Sequence, residues 1–174
     1  IYTLSLHDAL PISSLCQKRS NFMSLVFYTD GSASPNPGPG GFAVMSDGKP
    51  VILGGEPEAK ETTNIRMEGF ALLRCLEHLK GKEAKVYSDS EFWINVLTKW
   101  AITWEKNNWA KKGGIKNLDI VKPLYEAYKK SNVELIWVRG HNGQEGNELA
   151  DQWANKAREE ILKGNDPMNL IYKG

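Results

Sequence analysis

Leu25-Val26-Phe27-Tyr28-Thr29 is a short β-rich run that ends on Asp30 and then Gly31, and it reads as the first strand of a sheet. The Gly/Pro-rich stretch at residues 34–41 breaks it. Residues 42–45 and 51–54 then flank the turn signal Ser46-Asp47-Gly48-Lys49, which predicts an antiparallel meander. In residues 67–79, apolar side chains recur at helical spacing, with Leu72, Cys75, Leu76 and Leu79 on one face and Gly81 closing the segment. Further on, the pattern predicts a strand over 84–87, helices over 91–97 and 118–129, a strand over 133–138 and a terminal helix over 148–162. Three strands followed by alternating helix and strand imply an α/β fold: a mixed five-stranded sheet, antiparallel meander then parallel strands, with helices on both faces.

The 174 residues carry 22 Lys+Arg against 21 Asp+Glu, a net charge of +1 that neither demands nor excludes a nucleic-acid partner. Only the local distribution of charge can decide. Cys16 and Cys75 show no metal-site or disulfide spacing, which favours a reducing, cytoplasmic setting. No apolar run approaches the roughly 20 residues that span a bilayer, so no membrane association is expected. Residues 1–22 lack the layout of a signal peptide. The run His7-Asp8-Ala9-Leu10-Pro11-Ile12 reads as a translated sequencing-adapter oligonucleotide, with an ordinary disordered extension as the alternative. The expected division is an extension over 1–22, one domain over 23–163 from Met23, and a frayed C-terminal tail over 164–174. A monomer without an obligate protein partner is expected.

The acids carry the chemical information. Asp30 is expected to end the first strand, Glu68 to open the first helix, Asp89 to follow the strand over 84–87, and Asp151 to lie in the last helix. Residues at element ends can converge beside the carboxyl ends of the strands. Each acid alone has a plainer reading: Asp89 as a helix cap, Glu68 as a favourable charge at a helix N-terminus. Converged, like charges raise one another's pKa, and divalent cations relieve that penalty. Two Mg²⁺ about 3.5–4 Å apart between carboxylates and a phosphate would be a phosphodiesterase arrangement.

Five motifs decide between these readings: Tyr28-Thr29-Asp30-Gly31-Ser32, Asn36-Pro37-Gly38-Pro39-Gly40-Gly41, Arg66-Met67-Glu68, Tyr87-Ser88-Asp89-Ser90, and Gly140-His141-Asn142-Gly143 with Asn147 through Asp151. In order and spacing, from Leu25 to about Arg158, the chain resembles type 1 ribonucleases H. The resemblance implies the ribonuclease H-like fold and endonucleolytic, two-metal hydrolysis of the RNA strand of RNA–DNA hybrids, leaving 5′-phosphate and 3′-hydroxyl ends. It implies Mg²⁺, with Mn²⁺ as a substitute, held by Asp30, Glu68, Asp89 and Asp151. Asp30 would bridge both ions, Asp151 would share the nucleophile-side ion, and Glu68 and Asp89 the leaving-group-side ion. His141 would be a mobile proton-transfer or product-release residue; glycines at 140, 143 and 146 make its loop deformable.

Discriminating RNA from DNA requires sensing the 2′-hydroxyl at close range, a task that suits Gly31, Ser32 and Asn36 beside Asp30. By resemblance, the 31–41 loop and Thr62-Thr63-Asn64 line the minor groove and a DNA phosphate site, with Thr63 and Asn64 as contacts. Ile65 and Thr103 depart from the family's polar residues. Residues 99–117 hold five lysines against one glutamate, interleaved with Trp100, Trp104 and Trp109. The segment resembles the basic protrusion of bacterial type 1 enzymes, with Lys106, Lys111 and Lys112 on DNA-strand phosphates and the tryptophans on sugars. A tryptophan-anchored core helix with a solvated face remains the alternative, and the spacing of Trp100 and Trp104 fits it.

Overall fold

The computed structural model describes residues 24–56, 60–140 and 142–173. Five strands form one sheet in the order β3-β2-β1-β4-β5. β1 (Leu25–Ala33), β2 (Gly40–Ser46) and β3 (Lys49–Gly54) are the antiparallel meander, while β4 (Glu83–Ser88) and β5 (Asn132–Trp137) extend it in parallel. The helices are α1 (Asn64–Leu79), α2 (Glu91–Asn95), α3 (Ala101–Lys106), α4 (Leu118–Lys129), α5 (Glu145–Leu162) and α6 (Asn169–Tyr172), with a π-helical stretch Val96–Trp100 joining α2 to α3. The mixed five-stranded sheet read from the sequence is the one observed.

Strand alternation sends side chains to two cores. On one face, Phe27, Val44 and Val86 pack against Leu72, Cys75, Leu76 and Leu79 of α1, Trp93 of α2, and Ile120, Val121 and Leu124 of α4. On the other, Ala43, Met45 and Leu53 meet Ala150, Ala154 and Ala157 of α5. Small residues at these α5 positions let the helix backbone lie close on β2.

Four boundaries differ from the sequence reading. β1 does not stop before Asp30, because pairing with β2 continues through Asp30–Ala43 to Ala33–Gly40. The helix at 91–97 continues as helical backbone to Lys106, since no glycine or proline interrupts it and Val96, Leu97 and Ala101 are buried on its inner side. The terminal helix opens at Glu145, one turn earlier. Residues expected to form a frayed tail include α6, where Met168, Leu170 and Ile171 pack on the α5-side core. The Leu53 amide points at Met168 Sδ (3.3 Å), so an apolar chain end covers the β3 edge.

Candidate active site

Asp30 sits on β1, the strand at the middle of the sheet, and is 6% exposed. Glu68 is not at the start of its helix. Thr63 caps α1 by accepting the Arg66 amide proton (3.2 Å), which places Glu68 in the second turn. Only glycine at 31 permits this approach: a Cβ there would lie 2.3 Å from the Glu68 backbone nitrogen. Asp89 follows β4 directly, in register with β1, whose Thr29 pairs with Ser88. Asp151 lies in the second turn of α5, and α5 packs along β1 and β2. Of the four acids, then, only Asp89 lies at an element end; packing brings Asp30 and Glu68 to it, while Asp151 stands outside that trio, near enough for its charge to act on Asp30.

Carboxylate oxygens of Asp30, Glu68 and Asp89 lie within 4.8 Å of one another. Burial and the neighbouring Asp89 charge hold the Asp30 carboxyl well above the usual range; Asp151 and Glu68 add to this, and the Gly31 N–H opposes it by donating to Oδ1 (2.8 Å). Burial pushes Glu68 up to about 7, with the Asp89 charge adding, against a hydrogen bond from Ser90. Among the described residues, neither Asp30 nor Glu68 forms an ion pair with Lys or Arg. A buried cluster of like charges with only oxygen donors matches the requirements of a hard divalent cation.

The polar residues beside the acids form a second tier. Ser32 Oγ donates to Asn155 Oδ1 on α5 (2.9 Å). Asn64 Oδ1 accepts the Ala33 amide (2.7 Å), and the Asn64 amide donates to Asn36 Oδ1 (3.2 Å). Gly31 and Ser32 thus follow Asp30 on β1, and Asn64, next to the cap Thr63, links Asn36 to the end of that strand. Arg66 donates to Glu56, Asn117 and Asp119, while Thr62 donates to the same Glu56. His141 lies outside the described residues.

The tryptophan–lysine segment divides. Trp104 and Trp109 are half-buried against the main core, Trp109 edge-on to Tyr125 at 6.1 Å. Trp100 is 39% exposed, and Lys106, Lys111 and Lys112 are exposed. Lys111 Nζ stands 5.5 Å from the Trp104 ring centre. The alternative of a tryptophan-anchored helix holds for Trp104 on α3, Trp109 packs on the core from the turn that follows, and the lysines are left in solvent.

Sequence reasoning missed Ser90, Asn155 and Arg66 as supports. Asn155, four residues after Asp151, could have been found from helical spacing. The plainer reading gives the helix cap to Asp89, whereas the cap in the structure is Ser90, accepting the Trp93 amide. A concavity of about 1100 Å³ opens elsewhere, between β3, α1 and α6. None of the four acids lines it.

The family model for RNase H matches residues 23–159. A ribonuclease H of Mycolicibacterium gilvum is 42% identical over 144 residues, covering 79% of this chain and 94% of that protein. One from Gluconobacter oxydans is 39% identical over 140 residues, covering 77% and 91%. The solved structure of LC9-RNase H1, described as a type 1 RNase H with the type 2 active-site motif, is 27% identical with a TM-score of 0.66, covering 80% of this chain and 75% of that one. The fold and its acid-lined face define a nuclease of the ribonuclease H-like fold. More narrowly, the chain belongs to the ribonuclease H family, and LC9-RNase H1, which it resembles, is described as a type 1 member.

Proposed function

We propose that this protein hydrolyses the RNA strand of RNA–DNA hybrids endonucleolytically, leaving 5′-phosphate and 3′-hydroxyl ends, with Asp30, Glu68, Asp89 and Asp151 holding Mg²⁺ or Mn²⁺. The observation that carries this reading is the convergence of three carboxylates within 4.8 Å, two of which have no basic partner among the described residues. When bound, divalent cations supply an activated attacking water and stabilisation of the leaving oxygen.

The chain's own groups prepare the site for this. Gly31 N–H fixes the Asp30 carboxylate, and Ser90 Oγ fixes Glu68, so both ligands are oriented before any ion arrives. Ser32, Asn36 and Asn64 meet the minor groove and sense the 2′-hydroxyl. Thr63 stands beside them for a DNA phosphate, and Lys106, Lys111 and Lys112 with Trp100 track the DNA backbone. His141 moves the proton or helps release product. In this reading residues 23–163 form the catalytic domain.

Comparing hybrid, duplex DNA and duplex RNA of one sequence, with and without Mg²⁺, tests the proposal. Cleavage confined to the RNA of the hybrid and abolished by chelation is expected. Cleavage of duplex DNA, or none of any substrate, would refute it.

A further inference from the structure

Two partly buried arginines on this molecule are in opposite states. Arg66 donates to Glu56, Asn117 and Asp119. Arg158 is half-buried on α5, and its Nε is enclosed and lacks a hydrogen-bond partner among the described residues. No carboxylate pairs with it among those residues either. An enclosed guanidinium nitrogen without an acceptor is unfavourable unless a ligand or water meets it.

Its place on the helix says which ligand. Asp151, Asn155 and Arg158 are spaced four and three residues apart, so they share one face of α5. The stripe runs about 10 Å along the axis, from the acid cluster outward. Asn155 pins it to β1 through Ser32 and also donates to the Asp151 carbonyl (3.1 Å). At the far end it rests on β2: a Cβ on Gly41 would lie 2.4 Å from the Arg158 backbone nitrogen. The nearest basic residue on this helix, Lys156, lies over the Trp153 ring (4.2 Å) and is engaged there.

We infer that Arg158 is a phosphate subsite for the strand that is cut, gripping the RNA backbone beyond the scissile position. This rests on the proposed hybrid cleavage. A polyanion held at the acid cluster and passing Ser32 continues along the α5 stripe. There, the terminal N–H donors of a half-buried guanidinium with no acidic competitor match a phosphate, while the enclosed Nε keeps the side chain against the protein.

The test measures KM, kcat and the salt dependence of hybrid binding for wild type, R158Q and R158K. R158Q should raise KM roughly fivefold to tenfold at moderate salt with kcat within about twofold, and flatten the slope of log affinity against log salt by about 0.9. R158K, which keeps the charge but not the fork, should keep the slope and show an intermediate KM. A neutral methylphosphonate placed in turn at each RNA phosphate should raise the wild-type KM at one position where R158Q is indifferent. The same signature in the DNA strand would overturn the assignment. So would unchanged KM and slope in R158Q, or, if R158Q does not fold, a wild-type KM for R158K. A wild type that fails to cut hybrid sinks the activity reading instead. A cutting wild type with indifferent arginine variants sinks the subsite alone.

Discussion

Replacing Glu68 with Gln should stabilise the metal-free protein while removing its activity. The Glu68 carboxyl is pushed from 4.5 up to about 7 by burial and by the Asp89 charge. A raised acid pKa means that ionisation opposes folding, starting above the unfolded value and reaching its full extent once pH passes the folded one. The shift corresponds to about 3 kcal/mol at pH 8 and to under about 1 kcal/mol at pH 5. E68Q removes the ionisable group but keeps an acceptor for Ser90, so in chelator at pH 8 its Tm should exceed that of wild type by roughly 6–12 °C. At pH 5 the gap should narrow to roughly 2–3 °C. Adding Mg²⁺ should lift the wild type more than the variant, because ions that bind only the folded state stabilise it and E68Q lacks one ligand. Thermal unfolding followed by circular dichroism in chelator and in Mg²⁺, across pH 5–8, measures this. A Tm for E68Q at or below wild type at pH 8, or a difference that does not change with pH, would refute the electrostatic account of the cluster.

Asp30→Asn and Asp151→Asn should each keep the far-ultraviolet spectrum and lose hybrid cleavage by 10³-fold or more, on the order expected when a charged metal ligand becomes a neutral amide, whereas His141→Ala should be slower but active. Single-turnover assays distinguish these outcomes. Removing Lys106, Lys111 and Lys112 together should raise KM and reduce the salt slope by up to about three units at unchanged kcat, while Trp104→Ala or Trp109→Ala should each lower stability by about 2–3 kcal/mol in denaturant melts. Arg66 holds the Glu56 and Asp119 carboxyls below their ordinary range through hydrogen bonds, so the clamp stabilises above about pH 4.5 and fades as the pH falls. R66M should therefore cost about 2 kcal/mol at pH 7 and progressively less towards pH 3, read from urea melts at each pH. A chain beginning at Met23 should match the full chain in Tm and activity, since β1 opens at Leu25 and the buried core begins at Phe27.

Local signals recovered most of the fold because most of its elements are locally specified. α4 is bounded as its apolar spacing foretold, and β3 follows its turn glycine, where φ is +72° at Gly48. The errors have one origin: a local break signal overruled by a distant neighbour. Gly31 looked like a strand end, yet it exists so that β1 can run on beneath α1. The 165–174 segment looked polar and loose, but its Met168 and Ile171 have a surface to cover that only the folded sheet provides. The same holds for the site. Four acids could be picked out because they sit in recognisable motifs, whereas the bond from Ser32 to Asn155 spans 123 residues and has no local trace.

Net charge of +1 conceals how charge is arranged, and the arrangement bears on binding as much as on chemistry. Acids are gathered on the face formed by β1, the second turns of α1 and α5, and the end of β4, while the exposed lysines 106, 111 and 112 stand on the segment beyond α2. A phosphate backbone approaching the bare cluster meets repulsion, so without cations the lysines would pull the duplex toward a place that pushes its scissile phosphate away. In the proposed reading, two divalent ions would offset the charge of the four carboxylates and give the phosphate a favourable partner at that place. The cost of crowding carboxylates, visible as the raised Asp30 and Glu68, is therefore the counterpart of their use. Groups that already had basic partners could neither capture divalent ions nor draw a phosphate to them, and the molecule spends its internal ion pairs elsewhere, at Arg66.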